Sequence, residues 1–200
     1  MKISIFLDFW NFSLSLRSEV PEFRPDWYRI APAFLSKASL LLGDKELSLQ
    51  DFYIFGSYSN SPQDNKLRNW ASSFLPKIPG TKAIFLMRQK KSSGPICTKC
   101  HSEILSCPKC GGSMLGTEEK CIDTLLATTM LQDAWLGKYE TAILASCDKD
   151  FIPVIDFLRI KGIQTIHAGI GSRGKDLSNH CWGCFDILYI KDQFNRHLED

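Results

Sequence analysis

Strand and helix signals alternate along this 200-residue chain, which predicts an α/β fold with a mostly parallel central sheet flanked by helices. Two further observations agree with it. Residues 142–145 are an unbroken apolar run and residues 3–7 are apolar apart from Ser4, as strands buried on both faces are. Both runs end in carboxylates, Asp8 in one case and Asp148 with Asp150 in the other, at the strand ends where open α/β sheets bind ligands.

The elements follow in order. After the first strand, Trp27, Ile30, Phe34, Leu35, Ala38, Leu41 and Leu42 recur at helical spacing over 26–42, and Gly43 stops the helix. Residues 49–55 read as a second strand, 64–75 as a helix closed by Pro76, and 83–87 as a third strand. A long amphipathic helix over 119–136 carries Ile122, Leu125, Leu126, Met130 and Trp135, with Gly137 behind it. The fourth strand is followed by a helix over 151–161 that tolerates Pro153 because it falls in the first turn. A fifth strand is expected at 163–167 and a sixth at 187–190. Trp27, Trp70 and Trp135 occupy apolar helical positions and are expected in the core.

Residues 90–117 break this rhythm. They hold Gly-rich turns, four cysteines and almost no apolar periodicity, and they read as a module inserted between the third strand and the next helix. The main domain is then 1–89 together with 118–200. Cys97-Thr-Lys-Cys100 and Cys107-Pro-Lys-Cys110 are two Cys-x-x-Cys knuckles six residues apart, a spacing that suits one tetrahedral Zn²⁺ in a zinc ribbon. Iron in a similar four-sulfur site stays open, while disulfides are disfavoured because no export signal accompanies the cysteines. A closed four-sulfur site has no position for substrate, so the expected role is structural. Cys121, Cys147, Cys181 and Cys184 read as buried thiols, with a second metal site alongside His180 as the alternative.

Hydrophobic residues make up 44% of the chain and charged residues 23%, the balance of an ordinary globule. No uncharged apolar run is long enough to span a bilayer, and Asp8 interrupts the only leader-like run, so the reading is cytoplasmic. A net charge of +2 does not by itself identify a polyanion partner. The distribution says more, because residues 88–120 hold six basic and three acidic side chains. Taken alone, that cluster reads as a solvated hairpin surface.

Asp8, Asp148 and Asp150 gain weight from each other. Doubly wound sheets reverse direction beside the first strand, which sets the ends of the first and fourth strands facing one another. Asp123, at the start of the helix after the insert, approaches the same place. Oxygen ligands gathered in this way suit Mg²⁺ or Mn²⁺, and such an ion suits phosphodiester hydrolysis. Each acid alone also has a plainer reading as a helix cap or first-turn dipole partner.

Ile5-Phe6-Leu7-Asp8-Phe9-Trp10-Asn11, Lys120-Cys121-Ile122-Asp123 and Ser146-Cys147-Asp148-Lys149-Asp150-Phe151-Ile152-Pro153 resemble, in order, the motifs of NYN domains, the LabA-like branch of the PIN-like nucleases. The resemblance runs from the first strand to about residue 168, with bulky Phe9 and Trp10 after the first acid and Cys147 where glycine is common. It implies a Rossmann-like PIN domain and metal-dependent cleavage of RNA. By position, Asp8, Asp123, Asp148 and Asp150 would bind the metal, with Asn11 and Ser146 as supporting polar residues. Asp148 is the expected direct ligand, and Asp150 acts through water or caps the helix.

Gly169-Ile-Gly171-Ser-Arg-Gly174 satisfies a dinucleotide fingerprint, but the 26 residues after it are too few for the rest of that binding unit. It reads instead as a turn beside the site, with Arg173 and Lys175 reaching phosphate. Arg88, Lys90 and Lys91 are further phosphate candidates, and Trp10 is placed to stack on a base. His167 and His180 read as structural. RNA is the expected partner, DNA stays open as a flap or single-strand substrate, and a homodimer stays open. The alternative from another class is a noncatalytic RNA-binding scaffold.

Overall fold

In the computed structural model, which describes residues 1–196, the first apolar run becomes β1 (Lys2–Asp8), buried from Ile3 onward. The other sheet strands are β2 (Ser48–Tyr58) and β3 (Thr81–Met87) before the insert. The insert stands on a two-stranded antiparallel ribbon, β4 (Gln89–Lys90) and β5 (Thr117–Glu118). After it come β6 (Thr141–Ala145), β7 (Gln164–Gly169) and β8 (Gly183–Asp186). The six-stranded sheet has the order β3-β2-β1-β6-β7-β8, and its pairs are all parallel.

Side chains alternate across β1, and the two faces carry separate cores. Ile3, Ile5 and Leu7 pack beneath α1 (Phe9–Glu19), α2 (Trp27–Leu41) and α3 (Asn65–Ser73). Phe6 faces the other way, with Tyr53 and Phe55, toward α4 (Ile122–Trp135) and α5 (Ile152–Ile160). A short α6 (Lys175–His180) adds Leu177 to that second core. Helices on both faces explain why the strands read as continuous apolar runs. Among the described residues no helix is long and apolar enough to cross a membrane.

The chain builds β1, β2 and β3 outward in one direction, then returns past β1 to lay down β6, β7 and β8 on its other side. That reversal is the switch point of a doubly wound sheet. Parallel pairing sets Leu7 beside Ala145, so Asp8 and Ser146 emerge side by side at the carboxyl edge. β3 ends at this same edge, which is where the ribbon and the start of α4 lie.

Three sequence expectations are corrected. The sixth strand is Gly183–Asp186, and residues 187–189 form a 3₁₀ turn instead, because Asp186 accepts a hydrogen bond from the Leu188 N–H and caps that turn. Trp135 is 73% exposed: it ends α4 beyond the sheet, with the Lys161 ammonium 4.5 Å from its ring centroid. Cys121 and Cys184 are exposed, not buried. In addition, α1 follows β1 at once, without the loop that a strand-to-helix change usually signals.

Candidate active site

Asp8 is the centre of the site. Only 7% of it is exposed, and its Oδ1 caps α1 by accepting the Asn11 N–H at 3.2 Å. Its other oxygen, Oδ2, accepts the Ser146 hydroxyl at 3.2 Å. Ser146 Oγ in turn accepts the Asp148 N–H at 3.2 Å, and Asn11 Oδ1 accepts the Cys147 N–H at 2.9 Å. These bonds tie the end of β1 to the end of β6. Ser146 and Asn11 therefore hold the two strand ends in register.

Asp148 caps the 3₁₀ turn that leads into α5, accepting the Asp150 N–H at 2.9 Å. The capping role foreseen as the plain reading is thus present, in Asp148 rather than Asp150. It uses one oxygen and leaves the other available. Asp150 is exposed on the same turn, and Asp123 lies in the exposed first turn of α4.

Burial pushes the Asp8 carboxyl up to about 6, with the charges of Asp123 and Glu119 adding to the rise and hydrogen bonds from Asn11 and Ser146 opposing it. Asp123 is also raised, first by desolvation and then by Glu119, Asp148 and Asp150. Asp8, Glu119, Asp123, Asp148 and Asp150 therefore act on one another as a single field. This is the donor chemistry of a hard cation site.

Glu119 was missed by the sequence reading, which counted it only as the start of a helix and as surface charge. The helix begins later, at Ile122, after Cys121 takes the left-handed conformation at φ 70°. Glu119 is consequently on the extended segment that crosses the carboxyl edge. Its spacing of four from Asp123 was the available signal. It bonds the Ser57 hydroxyl, and Arg88 Nη2 lies 3.9 Å away.

Several expected nucleic-acid contacts have internal partners. The Trp10 indole N–H donates to the Ser57 carbonyl at 2.8 Å, and the Arg88 guanidinium lies 5.5 Å from the Trp10 ring centroid while donating to Ser57 Oγ at 3.0 Å. Trp10 and Arg88 thus brace Glu119. Arg173 donates to Ser18 Oγ at 2.8 Å and pairs with Glu19 at 3.5 Å, at the far end of α1. Lys90 and Lys91 are exposed on and beside the ribbon. Lys175 borders a cleft of about 480 Å³ together with Asn11, Asp148, Lys149 and Asp176.

His167 is fully buried beneath this edge. Burial lowers its pKa, so the ring is neutral, and because a carbonyl only accepts, Nε2–H donates to Ser146 O at 2.8 Å. Nδ1 is then left to accept from Ser178 Oγ at 2.6 Å. The glycine-rich turn closes over the ring. A Cβ on Gly169 or Gly174 would lie 2.9 Å from His167 Cε1, and one on Gly174 also 2.9 Å from Cys147 Cα. The fingerprint spacing is thereby accounted for by packing.

In the insert, Cys97 with Cys100 and Cys107 with Cys110 form two close pairs on two similar turns. The residue after each second cysteine, His101 or Gly111, has φ near +60 to +70°. Hydrogen bonds from Ser102 and then Cys97 bring the Cys100 thiol down to about 7, and backbone N–H groups of Lys109 and Cys110 lower Cys107. Thiols biased toward thiolate are compatible with an inserted zinc ribbon. Among the described residues, no three His, Cys, Asp or Glu side chains are gathered tightly enough to enclose an ion. Mg²⁺ keeps several waters and takes few protein ligands, so it asks less of the edge carboxylates than an enclosed site would. Closing a four-sulfur site requires the two cysteine turns to approach each other.

The sequence profile of the NYN domain matches residues 2–188. Among solved structures, the chain is similar to a protein of unknown function, VPA0982 from Vibrio parahaemolyticus, with a TM-score of 0.58 and 16% identity, over 98% of this chain and 96% of that one. That likeness shows the fold alone. Comparison with curated proteins finds no match. With the profile spanning nearly the whole chain, this protein belongs to the NYN domain family, within the PIN-like nucleases.

Proposed function

We propose that this protein is a metal-dependent endoribonuclease that hydrolyses phosphodiester bonds at the carboxyl edge of β1 and β6. The observation that carries the reading is Asp8, a buried carboxyl raised to about 6 by burial and by the acids brought to it from α4 and the segment before it. A carboxyl buried beside several further acids is the kind of perturbed group that gathers at functional sites. Asp8, Asp123, Asp148 and Asp150 would hold Mg²⁺ or Mn²⁺, with Glu119 as a further acid at the rim. When bound, the cation supplies polarisation of the phosphate and activation of water.

The protein's own residues do the rest. Ser146 and Asn11 fix the two strand ends, which keeps Asp8 and Asp148 at a set separation. Trp10, Ser57 and Arg88 hold Glu119 in place. Lys175 and Lys149 line the same cleft as Asn11 and Asp148 and would meet a phosphate of the substrate there. Lys90, Lys91 and the zinc ribbon extend the surface that a polyanion meets.

The test is cleavage of labelled RNA and DNA of one sequence by metal-stripped protein, with and without Mn²⁺, beside the Asp148→Asn variant. The expected result is Mn²⁺-dependent internal cutting of RNA that falls by at least about 100-fold in the variant, the scale on which losing a charge-stabilising group acts. Cutting of DNA alone supports a flap or single-strand nuclease instead. Binding without cutting, or equal cutting by the variant, overturns the enzymatic reading.

A further inference from the structure

A second concavity runs along α1, whose first residue, Phe9, follows Asp8. It lies between α1, the segment before α2, and α3, and measures about 340 Å³, within the range of small-molecule sites. Phe9, Phe12, Phe23 and Trp27 form its buried floor as part of the core, half-buried Trp70 is its most accessible ring, and Arg17 and Lys66 stand at its lining with no carboxylate among the lining residues. The rings form one connected cluster: Phe9 stacks on Trp27 at 6.0 Å between centroids, and Trp27 meets Trp70 edge-on at 5.0 Å.

The composition of this pocket selects its ligand. An aliphatic or acyl chain needs no aromatic wall, and a simple anion needs no apolar interior. A flat π-system joined to a negative charge uses both. Its position relative to the acids matters equally, because Phe9 directly follows Asp8. Arg17 lies eight residues further along α1, about 12 Å at the rise of a helix. A strand crossing the acids at Asp8 can therefore continue along α1 into the pocket.

We infer that this pocket receives one unpaired base of the nucleic-acid substrate, stacked on Trp70 above the core rings, with an adjoining phosphate on Arg17 and Lys66. The inference rests on the nuclease reading for the identity of the strand. It adds that the scissile bond lies at a set distance from the base in the pocket. Stacking is tolerant of base identity, so the pocket sets position more than sequence.

An abasic walk tests it. Single abasic sites are placed in turn along a short single-stranded RNA, and binding is measured to the full-length chain carrying Asp148→Asn, with and without Leu67→Trp, which fills the pocket from half-buried Leu67. Circular dichroism checks that the filled protein keeps its fold, and Arg17→Glu with Lys66→Glu, at two exposed positions, serves as a second variant that leaves the core untouched. Removing the base at one position is expected to weaken binding by about tenfold. The filled protein should bind weakly throughout and lose that positional dip, while the charge-reversed protein should bind weakly and retain it. A flat walk on the unfilled protein overturns the inference, as does an unchanged dip in the filled one. Cleavage by the wild-type chain is read separately. RNA cutting with a flat walk defeats the pocket alone, whereas a positional dip without any cutting defeats the nuclease reading alone.

Discussion

Asp8 is the residue at which folding and function oppose each other. Its rise from 3.8 to about 6 corresponds to about 3 kcal/mol against the ionised form in the fold. Between those values the folded chain keeps a proton that the unfolded chain has lost, so stability falls as pH rises from about 4 to 6 and bears the full penalty above. Asp8→Asn keeps an oxygen for the Asn11 N–H and removes the charge. The metal-free variant should be more stable than wild type at pH 7.5 by roughly 1–3 kcal/mol and about equal to it at pH 3.5, by denaturant titration at both pH values. Mn²⁺ should raise the melting temperature of wild type more at pH 7.5 than at pH 5, and much less in the variant. Gly174 makes a different demand. At φ 72°, with 2.9 Å to both Cys147 Cα and His167 Cε1 from any Cβ, Gly174→Ala should cost about 1–3 kcal/mol by thermal or denaturant unfolding. It should also lower cleavage, because His167 holds the Ser146 carbonyl.

At the scale of elements, what could be read depended on pattern strength. α2 keeps an unbroken apolar face with a capping Asp26 and was legible nearly to its ends, Trp27–Leu41. α1 was not. Only Phe9, Phe12, Ser15 and Leu16 of its residues are buried, while exposed Leu14 and the interleaved serines blur the period. Its start is marked by the Asp8 cap, a role hidden in the sequence because the same acid reads there as a metal ligand. β8 was misplaced because Ile187 and Ile190 are buried by a 3₁₀ turn, and burial alone does not separate a turn from a strand. The knuckles were legible from spacing, since Cys-x-x-Cys fixes a local turn whatever surrounds it. Each knuckle has its own hairpin bridge, Ile96 to Glu103 and Ser106 to Ser113, and neither belongs to the sheet cores. Replacing Cys97 and Cys107 by serine should therefore abolish zinc binding, about one ion per chain by elemental analysis, and leave the far-ultraviolet circular dichroism of the α/β body nearly unchanged.

At the scale of the whole molecule, the meeting of the candidate acids at one sheet edge is a consequence of topology. Reversal beside β1 brings the ends of β1 and β6 together whatever the loops contain, so the convergence of Asp8 and Asp148 on one edge follows from the strand order, which chain rules and the family resemblance imply. The contribution of Glu119 does not, because it depends on where the chain re-enters after the insert. That re-entry suggests how separable the insert is. Lys90 pairs with Thr117, and the Lys91 N–H bonds the Gly116 carbonyl at 2.9 Å, so the two ends of the module are already adjacent. Replacing residues 91–116 by Asn-Gly closes the same ribbon with a turn suited to its twist. The shortened chain should fold, keep Glu119 and Asp123 in place, and retain Mn²⁺-dependent cutting at saturating RNA. Its loss should appear in binding. Lys91, Lys99 and Lys109 leave with the module, and if all three meet phosphates, the slope of log affinity against log salt should fall by about 2 for single-stranded RNA. An unchanged slope would place the RNA path away from the insert, along α1 and the cleft at Lys175, whereas loss of folding would show that the module supports the body it interrupts.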